Sequence, residues 1–229
     1  MAGSNPLRAS SNELADQLAA FRHGRVPREL RRRQIVTEAG TLFSERGYDQ
    51  ASMDELARRV GVSKPVIYDL VGSKEQLFHD VMVGEAEELG GRVALAVSGE
   101  PDPERRLRAG ALAFFRYVDE RRAHWGSLVA ADAAPVTREI AAVRRRQAAL
   151  AARLIAEGAA TAGTPLEQRL TDACAHAVNG AFEALAAWWQ EHDQVAPEAL
   201  ADFAVRLLLP GLLTLSGVEL YGRVSNPQA

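Results

Sequence analysis

The sequence predicts an all-α chain in two parts, an N-terminal three-helix head and a larger helical body. Three observations predict it. Apolar residues recur at three- and four-residue spacing through most of the 229 residues. No stretch sustains the two-residue alternation of a half-buried strand. Breakers at Gly61, Pro101-Asp102-Pro103, Pro135, Gly163-Thr164-Pro165 and Pro197 mark off the apolar runs from one another.

The totals narrow the class. A composition 47% hydrophobic and 25% charged is that of an ordinary soluble protein, not of a disordered one. One cysteine, Cys174, excludes an intramolecular disulfide framework and suits a reducing cytosol. No apolar run reaches the length of a membrane span and no signal-peptide core opens the sequence, so a cytoplasmic protein is expected. The formal net charge of −3 is unevenly placed: Arg22 to Lys74 holds eleven bases and seven acids, hence +4, leaving −7 elsewhere. A basic head on an acidic body is the field expected of a DNA reader, although many charge runs are only solvated faces.

Residues 1–27 read as an arm. The first ten are small and polar, and Ser11 can cap a short helix in which Leu14, Leu18 and Phe21 share a face. Arg22-His23-Gly24-Arg25-Val26-Pro27-Arg28 is basic and irregular, either a segment that follows DNA phosphates or a free leader. From Glu29 to Arg46, Ile35, Ala39, Leu42 and Phe43 mark the first core helix, with Arg31, Arg32 and Arg33 spread round its start. Gly47-Tyr48 reads as its C-cap.

Ser52 to Lys74 is the most informative stretch. Ser52 and Glu55 form a capping box, and Met53, Leu56, Ala57 and Val60 make one apolar face behind it. Gly61 supplies the left-handed C′ residue. Ser63 caps a second helix with Pro65 in its first turn; Val62, Val66, Ile67 and Leu70 are expected inside, and Lys64, Pro65, Tyr68 and Asp69 outside. Ser73 and Gln76 form another capping box. The helix it opens runs towards Val97 with Leu77, Phe78, Val81, Met82 and Leu89 on its apolar side, loosened by Gly84, Gly90 and Gly91 at roughly 1 kcal/mol each relative to alanine. Two helices joined by a Gly-containing turn are a helix-turn-helix, whose second helix enters the major groove.

Residues 33–81 resemble the DNA-binding domain of the tetracycline-repressor (TetR) family. The resemblance is carried by Met53-Asp54-Glu55-Leu56-Ala57, Gly61-Val62-Ser63, Ile67-Tyr68 and Gly72-Ser73-Lys74-Glu75-Gln76-Leu77. It covers about the first third of the sequence. Val71 stands where the family usually has an aromatic residue, which predicts looser packing behind the recognition helix. Asp69 stands where an aromatic residue or His is usual, which predicts altered chemistry facing DNA. The resemblance implies that Ser63, Lys64 and Pro65 meet bases and that Tyr68 and Lys74 hold phosphates. Ser52, at a helix N-terminus, is added as a phosphate donor on physical grounds.

Behind Ser98–Pro103 the body reads as helices over Glu104–Glu120, a short piece near Ala123–Ala131, Val136–Ala160, Leu166–Glu191 and Glu198–Leu220. The expected division is an arm over 1–27, the head over 28–75, an effector-binding and dimerisation domain over 76–221 and a tail over 222–229. Leu166, Leu170, Ala173, Ala177, Gly180, Ala181, Ala184, Leu185 and Trp188 line one helix of the last pair. Leu200, Phe203, Ala204, Leu207, Leu208, Gly211, Leu212 and Leu215 line the other, with Pro210 expected to kink it. These faces serve either a thick monomer core or a homodimer interface through 166–191 and 198–220; a helix-turn-helix that reads two half-sites favours the interface.

The resemblance also implies an effector pocket in the body. Its candidate residues are Phe114, Tyr117, Trp125, His176, Asn179 and Trp188, aromatic and polar groups among apolar runs. Each has a plainer role as core, His176 as a hydrogen-bonded histidine and Cys174 as a small buried hydrophobe. No phosphate-binding loop, dinucleotide fingerprint, HExxH or GxSxG is present, and the five histidines lack metal-ligand spacing. No enzyme, metal or cofactor is therefore expected. The reading is a dimeric regulator, a repressor released from a palindromic double-stranded DNA operator by a small, largely apolar effector. Two alternatives stand beside it: a DNA-binding regulator without a small-molecule effector, and a helical binding or catalytic protein whose helix-turn-helix does not read DNA.

Overall fold

The computed structural model describes residues 11–21, 26–122 and 137–215, and every regular element among the described residues is helical. The helices are α1 (Ser11–Ala19), α2 (Arg28–Gln50), α3 (Met53–Val60), α4 (Lys64–Val71), α5 (Lys74–Val97), α6 (Pro103–Glu120), α7 (Thr137–Thr161), α8 (Gln168–Trp189) and α9 (Pro197–Leu213). The short helix expected near Ala123–Ala131, Trp125, the basic segment at Arg22–Arg25 and the tail over 222–229 lie outside the described residues. The protein divides into two compact units, Met1–Glu88 with Arg121–Val143, and Leu89–Glu120 with Arg144–Ala229. The division falls within α5, further along than residue 75.

In the first unit, Ile35, Ala39, Leu42 and Phe43 of α2 meet Leu56 and Val60 of α3, Ile67 and Val71 of α4, and Leu77, Phe78 and Val81 of α5. Phe43, Tyr48 and Phe78 pack mutually, with ring centroids 5.1–5.9 Å apart. Two glycines shape the turns. Gly47, at φ 72°, breaks α2 before its last turn, and Gly61, at φ 75°, ends α3 in the left-handed region where a Cβ is strained.

Several local expectations are corrected by neighbours. Ser52 Oγ accepts the Asp54 N–H at 3.2 Å, but the reciprocal half of its box does not form, because Arg59 takes the Glu55 carboxylate at 2.7 Å. Ser73 likewise accepts the Gln76 N–H at 3.1 Å while the Gln76 amide turns to Asp80. The Ser63 hydroxyl makes no capping bond. Pro65 has no N–H to offer it, and the Val66 N–H goes to the Ser63 carbonyl at 3.0 Å. Val66 is 39% exposed rather than internal, whereas Val71 is buried. Ile67 and Val71, four residues apart, share the single face that an eight-residue helix can bury, so the site expected to pack loosely is filled.

The second unit is built on aromatic packing between α6 and α8. Phe114 and Phe115 both pack on Phe182, at 5.4 and 5.6 Å, and Phe115 meets Trp189 edge-on at 6.0 Å. Trp189 is fully buried and donates its indole N–H to the Val195 carbonyl at 2.7 Å, which removes the cost of burying that donor. Helix α9 lies along α6, where Arg108 bonds Asp202 at 2.5 Å and Arg116 bonds Glu198 at 2.9 Å. A Cβ at Gly90 would stand 2.8 Å from Leu150 Cδ2, so this glycine permits close approach of α5 to α7 instead of merely loosening α5. Helix α9 carries Pro210 inside it and ends at Leu213, sooner than Leu220.

Candidate nucleic-acid interface

The head presents α4 over a filled core. With Ile67 and Val71 turned inward, Ser63, Lys64, Pro65, Val66, Tyr68 and Asp69 are left exposed along its other side. Of the expected DNA-contacting residues, Ser52, Ser63, Lys64, Pro65 and Tyr68 are exposed and Lys74 is half-buried. Ile67 and Val71 seat α4 on the core behind it, and two side chains of the outward row, Lys64 and Asp69, tie it to its neighbours.

The charges on this surface are already engaged. Lys64 Nζ lies 2.8 Å from Asp54 Oδ2, which joins the first turn of α4 to the first turn of α3 and raises the Lys64 pKa above the ordinary lysine value. Lys74 Nζ donates to the Asp49 carbonyl at 3.3 Å and sits 4.6 Å from the centre of the Tyr48 ring; burial pushes its pKa down. At the other end of α4, Arg28 Nη1 donates to Asp69 Oδ2 at 2.5 Å and Nη2 to the Asp69 carbonyl at 2.8 Å. That carbonyl is among the last four of the helix, which lack intrahelical partners, so the Arg28 guanidinium caps the C-terminus of α4. Sequence reading missed Arg28 because its partner is 41 residues away. The neighbouring arginines are also committed, Arg32 to Asp80 at 2.6 Å and Arg33 to Gln17 at 3.2 Å.

The expected effector residues do not converge. Phe114 and Tyr117 are buried, Tyr117 beneath the Arg92 guanidinium at 5.1 Å. Asn179 is half-buried. His176 is exposed, its Nδ1 2.8 Å from the Asp172 carbonyl, and Trp188 is 47% exposed and stacked on His192 at 4.0 Å. Helix α8 buries the stripe Leu170, Cys174, Val178, Phe182 and Trp189, and positions 176 and 188 fall outside it. Trp125 lies outside the described residues.

Residues 35–81 match the family described as "Bacterial regulatory proteins, tetR family", and residues 103–211 match "Tetracyclin repressor-like, C-terminal domain". The protein is 41% identical over 98 residues to the HTH-type transcriptional activator FasR of Mycolicibacterium smegmatis, covering 43% of this sequence and 45% of that protein. It is 30% identical over 94 residues to the HTH-type transcriptional regulator HbdR of Aromatoleum sp., covering 41% of each. The matched stretch thus spans less than half the length of these curated relatives. Among solved structures, a TetR-like transcriptional regulator from Rhodococcus sp. RHA1 is 29% identical with a TM-score of 0.62, over 83% of this protein and 100% of that one. The regulator FadR from Bacillus subtilis, in complex with stearoyl-CoA, is 17% identical with a TM-score of 0.66, over 78% of this protein and 97% of that one, and shares the fold.

Proposed function

The chain belongs to the tetR family of bacterial regulatory proteins, and we propose that it is a DNA-binding transcriptional regulator that reads its operator as a homodimer under the control of a small, largely apolar effector. The observation that carries the DNA-reading part is the outward row of α4 over a packed head, with Ser63, Lys64 and Pro65 proposed to face bases and Ser52, Tyr68 and Lys74 to face phosphates. Dimerisation is supported by a second feature. The face of α8 carrying Ala173, Ala177, Gly180, Ala184 and Trp188 is solvent-exposed, as are Phe203, Leu207 and Leu213 on α9. Large exposed apolar residues beside small ones suit close packing against an equivalent pair of helices in a second copy.

The effector belongs to the second unit in this reading, with Phe114 and Tyr117 as candidates within its core. A long acyl-CoA is the first ligand to try, because a protein of the same fold is seen in complex with stearoyl-CoA. Its acyl chain is the apolar part and its CoA group a polar extension beyond it. Whether the effector releases or recruits the DNA complex sets the regulatory sign. A repressor fits the release scheme, while the relative FasR is named an activator. The test is selection of bound sites from a random duplex pool, followed by titration of the recovered site with stearoyl-CoA. Two inverted half-sites about one helical turn apart are expected. A single unpaired half-site would contradict the dimer, and an unmoved binding curve would remove that ligand.

A further inference from the structure

We propose that Asp54 determines specificity by holding Lys64 off non-cognate DNA. This rests on the DNA-reading role of α4 and goes beyond it, because Asp54 contacts a reader rather than DNA. Lys64 is the first residue of α4, and its ammonium reaches back to α3, where the Asp54 carboxylate lies 2.8 Å from Lys64 Nζ and the Ser52 hydroxyl fixes the Asp54 backbone by accepting its N–H. Both side chains are exposed, at 44% for Lys64 and 68% for Asp54, so the pair is weak enough to exchange.

A loosely docked duplex leaves this pair intact, since a distant phosphate competes poorly with a carboxylate already in contact. With its charge cancelled by Asp54, Lys64 then draws in no phosphate and releases no counterion. On a cognate site the recognition helix seats fully, a phosphate or base edge meets Lys64 directly, and the pair opens. By cancelling Lys64 off the cognate site, the carboxylate weakens non-specific binding more than specific binding, the penalty on wrong sites that discrimination needs.

The experiment compares wild type, Asp54→Asn, Lys64→Ala and the double variant on a random duplex and on the upstream duplex of its own gene across a salt series, with circular dichroism to confirm folding. Asp54→Asn is expected to tighten random-duplex binding several-fold and to steepen its log–log salt slope by about 0.9, one added phosphate contact. Upstream binding gains less, so discrimination falls. In the Lys64→Ala background the same substitution leaves the slope unchanged. A folded Asp54→Asn with unaltered random-duplex affinity and slope overturns the proposal, as does a slope change that persists without Lys64. Wild type that binds no duplex in a salt-dependent way overturns the DNA reading itself, and the proposal with it.

Discussion

Arg28 caps α4 through Asp69, bonding both its carboxylate and its backbone carbonyl from the first residue of α2. An aspartate near a helix C-terminus is unfavourable beside the negative end of the dipole. Here the guanidinium neutralises it and satisfies an orphan carbonyl with the same planar fork. Asp69 thus anchors α4 to α2, and the departure from the family pattern acquires a structural role.

Arg28→Ala is expected to weaken binding to all duplexes alike, since it loosens the helix that every sequence meets. Arg28→Lys restores the charge but not the fork and recovers only part of the loss. Fluorescence anisotropy with a random and an upstream duplex reads this, and wild-type affinity for both would remove Arg28 from the account.

Tyr68 and Lys64 separate positioning from reading. Tyr68→Ala should lower affinity for different duplexes to a similar degree, as loss of a phosphate contact does. Lys64→Ala should either lower discrimination or flatten the log–log salt slope by about one. Wild-type affinity in Tyr68→Ala places Tyr68 off the DNA, and unchanged discrimination and slope in Lys64→Ala do the same for Lys64.

Arg59 joins Glu38, Glu45 and Glu55 at 3.4, 2.6 and 2.7 Å and holds the Glu55 carboxyl below the usual glutamate range, chiefly by its hydrogen bond. A depressed folded-state pKa contributes stability that is present above the unfolded value, about 4.3, and lost as pH falls through the folded value. Arg59→Gln should therefore lower the urea midpoint at neutral pH, and the gap to wild type should narrow below about pH 4. A gap that is constant with pH would assign the effect to packing.

Phe203 and Leu207 are 52% and 57% exposed on α9. If a second copy covers them, Phe203→Asp or Leu207→Asp buries a charge at the contact and yields a folded monomer. Light scattering on the purified protein measures the mass directly, and an unchanged dimer would move the interface elsewhere.

The head was legible because its signals are local. Gly61, Ser52 and the spacing of Leu56, Val60 and Ile67 each act within a turn or two, and the structure keeps them close to the expected places. What the sequence hid was tertiary. Lys64–Asp54 and Arg28–Asp69 join separate helices, so no periodicity reports them. Glu55–Arg59 is a local pair, four residues apart on α3, but the guanidinium that took Glu55 from the capping box is also held by Glu38 and Glu45 of α2, which no local spacing reports. On α8, apolar residues lie on more than one side, and spacing alone could not say that Phe182 and Trp189 face inward while Trp188 faces out. That ambiguity split the candidate effector residues between the core and the surface.

Whether α4 reads DNA is measured by binding of the protein to the duplex upstream of its own gene against random duplex of equal length at two salt concentrations. A reading helix binds the upstream duplex more tightly, with affinity falling steeply as salt rises. Equal, weak and salt-insensitive binding to both would contradict it.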